Sequence, residues 1–120
     1  MSIITLILAG VVALEHLYIM YLETFATHSD TTSRVFNMSK EDLQRESVTN
    51  LFKNQGIYNG LIAVFLLYGI FSNSQLLVTV FVLNVFFAAV YGAVTANKKI
   101  IFTQGGPAIL TLFSLIISLF

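Results

Sequence analysis

Long apolar segments alternate with short polar stretches along this chain. A helix needs ~20 mostly apolar residues to cross the hydrocarbon core of a bilayer. Segments on that scale cover residues 3–25, 54–71, 76–96 and 100–120. The pattern therefore predicts an all-α membrane protein, a bundle of four transmembrane helices that forms a single domain over residues 1–120.

The fourth segment is interrupted by Gly105-Gly106-Pro107. Proline removes a backbone donor and clashes with the preceding turn, so we expect a kink or a helix start at this point. A helix that started at Pro107 would be too short to span unaided. A longer, kinked helix is therefore favoured.

The only long polar stretch, His28 to Lys53, lies between the first and second segments. Residues 31–33 are small and polar and predict a linker. Ser39 is typical of a helix N-cap, with Asp42 three residues later. From there the pattern predicts a loosely amphipathic surface helix at the cytoplasmic face that runs into the second span. A solvated helical connection with no further role is an equally good interpretation.

The composition limits the function classes. The chain is 57% hydrophobic and 10% charged, whereas a soluble domain has ~25% charged residues. The absence of cysteine excludes thiol catalysis, disulfides and cysteine metal sites. The net charge is zero and there is no basic block, which argues against nucleic acid as a partner. The first residues lack Lys and Arg, so we expect no cleavable signal peptide.

The basic residues indicate the orientation. Two loops on one side of the predicted membrane contain all six of them: Arg34, Lys40, Arg45 and Lys53 in the first loop, and Lys98 and Lys99 in the third. Cytoplasmic loops of membrane proteins carry an excess of Lys and Arg. This distribution predicts that both termini are extracytoplasmic and that the long first loop is cytoplasmic.

Two adjacent ionisable residues, Glu15 and His16, lie within the first predicted span. A charge at membrane depth costs at least ~2.5–3.5 kcal/mol on insertion scales. Interhelical hydrogen bonds in membranes contribute only ~0.6 kcal/mol on average, so packing alone poorly offsets that cost. A functional role is therefore favoured for the pair. Glu23 is placed near the cytoplasmic interface, where a charge costs little, and we assign it no role.

Depth arithmetic gathers polar residues from all four predicted spans into one layer. Counted from the outer ends at 1.5 Å per residue, the depths are roughly 18 Å for Glu15 and Asn59, 20 Å for His16, 22 Å for Tyr91, and 24 Å for Gln55 and Gln104. This layer lies in the cytoplasmic half of the membrane. It predicts a ligand-binding pocket lined by these six residues.

Helical spacing indicates which residues share a face. His16, Met20 and Glu23 are four and seven residues apart and fall on one stripe of the first span. Gly56 and Gly60 form a G-x-x-x-G, a spacing that lets two helix backbones approach closely. We interpret these glycines as packing residues.

The chemistry open to Glu15 and His16 is proton uptake and release, or general acid–base catalysis. A metal site is not expected, because neighbouring side chains on a helix point ~100° apart and the membrane segments contain no second histidine. No cofactor is expected.

Several motifs resemble a family of small four-helix bacterial integral membrane proteins of unknown function, some members of which are labelled epimerases. The motifs are Leu14-Glu15-His16-Leu17-Tyr18, Tyr21-Leu22-Glu23, residues 54–60 (NQGIYNG), Tyr91-Gly92-Ala93 and residues 104–108 (QGGPA). The resemblance implies four transmembrane helices in a bacterial plasma membrane and supplies no reaction. A second likeness, of design only, is to small multidrug-resistance transporters, from which this chain departs in its charge bias and long first loop.

Three functions are consistent with this sequence. The first is a polar pocket, open to the cytoplasm, that binds a small cationic or polyhydroxylated molecule; transport of that molecule would be proton-coupled and would call for a homodimer. The second is a membrane-embedded acid–base enzyme, such as an isomerase or epimerase, with Glu15 and His16 as the catalytic candidates. The third is a structural partner subunit. Membrane lipids are the expected surroundings in each case.

Overall fold

A computed structural model describes residues 1–96 and 100–119, and within them the chain is all-helical. The helices are α1 (Ile3–Met20), which continues as a π-helical turn (Tyr21–Phe25), α2 (Asp30–Phe36), α3 (Lys40–Leu43), α4 (Glu46–Phe71), α5 (Gln75–Thr95), α6 (Ile100–Thr103) and α7 (Gly105–Ile117). Three of these segments are long and apolar enough to cross a membrane: Ile3–Phe25, Glu46–Phe71 and Gln75–Thr95. All-helical architecture is thus confirmed, whereas a bundle of four spans is not.

The fourth predicted span is divided in two. A turn at Gln104 separates α6 from α7, and α7 has 13 residues. The longer, kinked helix favoured from the sequence is wrong: a separate helix, α7, begins at Gly105 and places its proline in the first turn, where the missing N–H has no intrahelical partner to lose. Lys98 and Lys99, predicted as the basic residues of the third loop, lie outside the described residues.

The polar stretch between the first two spans is more helical than the sequence pattern indicates. The linker predicted at residues 31–33 is wrong, because these residues belong to α2, whose N-cap Ser29 accepts a hydrogen bond from Thr32 N. The N-cap at Ser39 is confirmed by a 3.1 Å hydrogen bond from Asp42 N. The surface helix does not run on into the second span: α3 ends at Leu43, and α4 begins at Glu46 rather than at residue 54.

Contacts divide the chain into two compact units, one formed by residues 1–15 and 63–120 and the other by residues 16–62. In the first unit, α5 packs against α6 and α7. Thr5 on α1 is hydrogen-bonded to Ser114 on α7, and the Phe65 and Phe81 rings lie 5.6 Å apart between α4 and α5.

The core of the first unit is built mainly from small and β-branched side chains, together with two leucines, at helical spacing. These buried residues are Thr5, Ala9 and Val12 on α1, Ala63 and Leu66 on α4, Val78, Val82, Val85 and Ala89 on α5, and Ala108, Thr111 and Leu115 on α7. Intervals of three and four residues place each set on one face of its helix. Small residues on such faces let helix backbones approach closely.

The second unit joins the end of the first span, α2, α3 and the first half of α4. Leu43 is fully buried, and its carbonyl accepts a 2.7 Å hydrogen bond from Thr49 Oγ1 on α4. Thr32 Oγ1 donates to Ala26 O at 2.7 Å, which fixes α2 against the end of the π-helical turn. The rings of Phe36 and Phe52 meet edge to face at 5.2 Å.

Most of the apolar surface of the three long helices is not covered by protein. Only 33%, 28% and 22% of their most apolar windows are buried. Soluble monomers rarely expose apolar patches of that extent. This exposed apolar surface is what helices able to cross a membrane present.

Candidate functional site: a buried carboxylate and amide in the second unit

The π-helical turn at the end of the first span sets the position of Glu23. Ala26 N donates to Tyr21 O at 2.9 Å, the i to i+5 spacing of a π-helix. Glu23 lies within this turn and is only 5% exposed, and its carbonyl accepts a 2.6 Å hydrogen bond from Thr27 Oγ1. Single π-helical turns are rare in proteins, and those that occur are often found at functional sites.

Two glycines on α4 let the helix approach this turn. A Cβ at Gly56 would overlap Thr24 Oγ1 and would lie 3.1 Å from Glu23 Cβ, and a Cβ at Gly60 would overlap the Met20 sulfur. Both glycines are buried. Their interpretation as packing residues agrees with these close approaches, which bring Asn59 opposite Glu23.

The Asn59 side chain contacts the Glu23 carboxyl group. Asn59 Nδ2 donates to Glu23 Oε1 at 2.6 Å. Glu23 is buried and Asn59 is half-buried. The ion pairs among the described residues involve Asp30 and Asp42, not Glu23. The carboxyl group is therefore held by a neutral amide and has no cationic partner in the part of the chain that the structure describes.

The second unit also buries His16, which is 4% exposed. Met20, one turn after His16, lies against Gly60, and Glu23 lies against Asn59. The stripe of His16, Met20 and Glu23 predicted from their spacing thus turns toward protein rather than lipid.

The structure assigns the six predicted pocket residues to different units. Glu15, Tyr91 and Gln104 belong to the first unit, and His16, Gln55 and Asn59 belong to the second. Their membership in one shared pocket stays a prediction.

In the first unit, Glu15 is half-buried, and its enclosed Oε1 has no hydrogen-bond partner among the described residues. Tyr91 is 72% exposed, and Gln104 is half-buried at the turn before α7. In the second unit, Gln55 is exposed, one turn before the half-buried Asn59.

Within the described residues, no group of three or more His, Asp or Glu side chains is placed to hold a metal ion.

The sequence interpretation assigned no role to Glu23, the most buried carboxylate of the second unit. The signal was present in the shared stripe of His16, Met20 and Glu23 and in the G-x-x-x-G that surrounds Asn59. The depth of Glu23 in the predicted membrane was given more weight than that signal. That depth measures only the distance from the membrane surface and takes no account of burial by α4.

Comparison with known proteins places this chain among relatives. Residues 10–116 match the family described as "Protein of unknown function (DUF1304)". The chain belongs to the DUF1304 family. A curated relative, the "Uncharacterized protein YpaA" of Lactococcus lactis subsp. lactis (strain IL1403), is 62% identical over 116 residues, which cover 95% of this chain and 98% of that protein. No solved structure matches this chain. Membership in a family of unknown function, expected from the motifs, is confirmed.

Proposed function

We propose that this protein is a multi-pass protein of the bacterial plasma membrane that binds a small organic cation, with the Glu23–Asn59 pair as the core of the binding site. The observation that supports this proposal best is the 2.6 Å bond from a neutral amide to a carboxyl group that is 5% exposed. Burial of a carboxyl group that has no cationic partner is costly, so such a group is a candidate for a functional role. A cation is the ligand that a carboxylate without a charged partner favours.

The orientation supports access from the cytoplasm. Glu23 lies two residues before the end of the first span, Ile3–Phe25, and the loop that follows contains three of the six basic residues, with Lys53 near the start of α4. Because cytoplasmic loops carry an excess of Lys and Arg, we place that end of the span at the cytoplasmic face. His16, buried in the same unit, is a candidate group for exchanging a proton when the cation binds.

The proposal is tested by thermal unfolding of the purified full chain in detergent micelles with choline, spermidine or tetraphenylphosphonium, and with glycerol and glucose as neutral comparisons. A ligand at ~100 times its Kd stabilises the folded state by ~2.7 kcal/mol. We expect at least one of the three cations to raise the Tm of wild type and of Glu46→Gln, which alters an exposed carboxylate on α4. The same cation is expected to leave the Tm of Glu23→Gln unchanged.

Two outcomes would overturn the proposal. The first is that none of the three cations shifts the Tm of wild type. The second is that the shift persists in Glu23→Gln, which would place the binding site elsewhere. If no cation binds and Glu23→Gln is as stable as wild type, the pair serves helix packing, as the structural-subunit hypothesis holds.

A further inference from the structure

Beside the Glu23–Asn59 pair, the second unit has an open depression where the first span ends. Its volume is about 310 Å³, and it is lined by residues 24–29 and by Lys53 of α4. Three hydroxyl side chains, an imidazole and an ammonium group border it, and its lining includes no acidic side chain among the described residues. The charge of this lining favours an anion.

Hydrogen bonds fix the walls of the depression. Thr24 Oγ1 donates to Lys53 O at 2.9 Å, which joins the end of the span to α4. The His28 imidazole is held to α4 by a 2.9 Å bond between its Nε2 and Thr49 Oγ1. The two backbone bonds that close the loop use the N–H groups of Ala26 and Ser29, and neither uses that of His28. The walls are therefore formed before any ligand arrives.

Lys53 is the positively charged residue in the lining of this depression, and its side chain is exposed. Lys40 and Arg45 are paired with Asp30 and Asp42 at 2.8 Å and 3.4 Å, whereas neither of these ion pairs includes Lys53. The hydrogen bond and charge of Lys40 also lower the pKa of Asp30, as expected for an engaged pair. The ammonium group of Lys53 remains available to an anion from outside the chain.

The position of the depression indicates which anion is nearby. Phe25, the last residue of the apolar span, lines the depression and is 74% exposed. Lysines near the ends of spanning helices extend their ammonium groups to the level of the lipid headgroups, and Phe25 marks that end of the first span. Phosphate groups are the anions at that level. Lysine is a common phosphate ligand that acts as a compact point charge.

We propose that this depression binds a phosphate group, carried either by an anionic lipid or by a soluble phosphate ester. The Lys53 ammonium supplies the charge, and the backbone N–H of His28, which neither loop-closing bond uses, supplies a neutral donor beside it. This site is separate from the Glu23 carboxyl group, which does not line the depression. It does not depend on the proposed cation binding.

Native mass spectrometry of the full chain in detergent micelles tests this proposal with three probes: phosphatidylglycerol, diacylglycerol with the same acyl chains, and glycerol 3-phosphate. We expect one phosphatidylglycerol per chain in preference to diacylglycerol. Its affinity should fall about tenfold or more in Lys53→Gln, the effect of losing one hydrogen bond to a charged group. Lys53→Arg, which keeps the charge, and Lys40→Gln, which removes a lysine already paired, should retain the binding.

The two phosphate probes, glycerol 3-phosphate and phosphatidylglycerol, distinguish a soluble source of the phosphate from a lipid source. Binding of glycerol 3-phosphate with the same dependence on Lys53 would identify a soluble ester as the ligand, and binding of phosphatidylglycerol alone would identify a lipid. Equal binding of diacylglycerol and phosphatidylglycerol would overturn the proposal. So would equal losses in Lys53→Gln and Lys40→Gln, or no binding of either phosphate probe.

Discussion

Asn59 Nδ2 lies 2.6 Å from Glu23 Oε1, so that an amide on α4 holds a carboxyl group in the π-helical turn that ends the first span. The two residues are separated by 36 positions in the chain. Gly56 and Gly60 make their contact possible, because larger residues there would separate the two helices. This pair therefore packs α4 against the end of the first span and also forms the core of the proposed binding site.

Asn59→Leu is expected to lower the free energy of unfolding by ~1–3 kcal/mol, because it leaves a buried acceptor without its donor. Asn54→Leu, at an exposed position on the same helix, serves as the control and should have little effect. Titration with SDS in mixed micelles measures both. The coupling between Asn59→Leu and Glu23→Gln in a double-mutant cycle should approach ~0.6–1.7 kcal/mol, and a coupling near zero would show that the hydrogen bond does not stabilise the fold.

Gly56→Ala is expected to destabilise the second unit by ~1–3 kcal/mol, the usual cost of overpacking. The new Cβ would overlap Thr24 Oγ1 and lie 3.0 Å from Thr24 N, and that backbone atom cannot move aside easily. Gly10→Ala is a matched control, since its Cβ meets nothing within 4 Å. Alanine in a helix interior is favoured over glycine by roughly 0.5–1 kcal/mol, so the control should be stabilised. Similar effects for the two variants in the same SDS titration would contradict the close approach at Gly56.

Thr32→Val tests how α2 is attached to the end of the first span. The Thr32 hydroxyl is buried and donates to Ala26 O at 2.7 Å and to Leu22 O at 3.2 Å. Its loss should cost ~1 kcal/mol or more, because valine keeps the shape and removes the donor. Thr31→Val, at the neighbouring half-buried position, should be nearly neutral. Hydrogen exchange of the α2 amides should rise in Thr32→Val and not in Thr31→Val.

Topology is tested with single cysteines, which the chain allows because it has none of its own. Gln75→Cys alters an exposed glutamine on the side predicted to face outside. Gln44→Cys alters an exposed glutamine on the side predicted to face the cytoplasm. A membrane-impermeant maleimide added to intact cells should label Gln75→Cys and should label Gln44→Cys only after lysis. Ser118→Cys, after α7, should be labelled from outside if α6 and α7 together cross the membrane. Labelling of Gln44→Cys in intact cells would contradict the orientation.

The sequence was most informative where apolar length alone decides the structure. The first span ends at Phe25 as predicted, because the apolar run stops there. The start of α4 was missed, since residues 46–53 are polar and give no apolar signal; their helix is held by contacts such as Thr49 Oγ1 with Leu43 O. The N-cap Ser29 and the acidic Asp30 after it were a readable signal for α2.

The site was predicted less completely than the fold. Asn59 was selected as a pocket residue, which stays a prediction, and its contact with Glu23 was not predicted. The π-helical turn that buries Glu23 has no signature in the apolar pattern, because it depends on a backbone hydrogen bond from Ala26 to Tyr21.

The most direct test of the central claim is the resonance of the Glu23 δ-carboxyl carbon in protein that carries ¹³C-labelled glutamate. Its assignment follows from its absence in Glu23→Gln. The account predicts that this resonance shifts to saturation as choline, spermidine or tetraphenylphosphonium is added, while that of the exposed Glu46 stays fixed. A Glu23 resonance that does not move with any of the three cations would contradict the claim that this carboxyl group binds a cation.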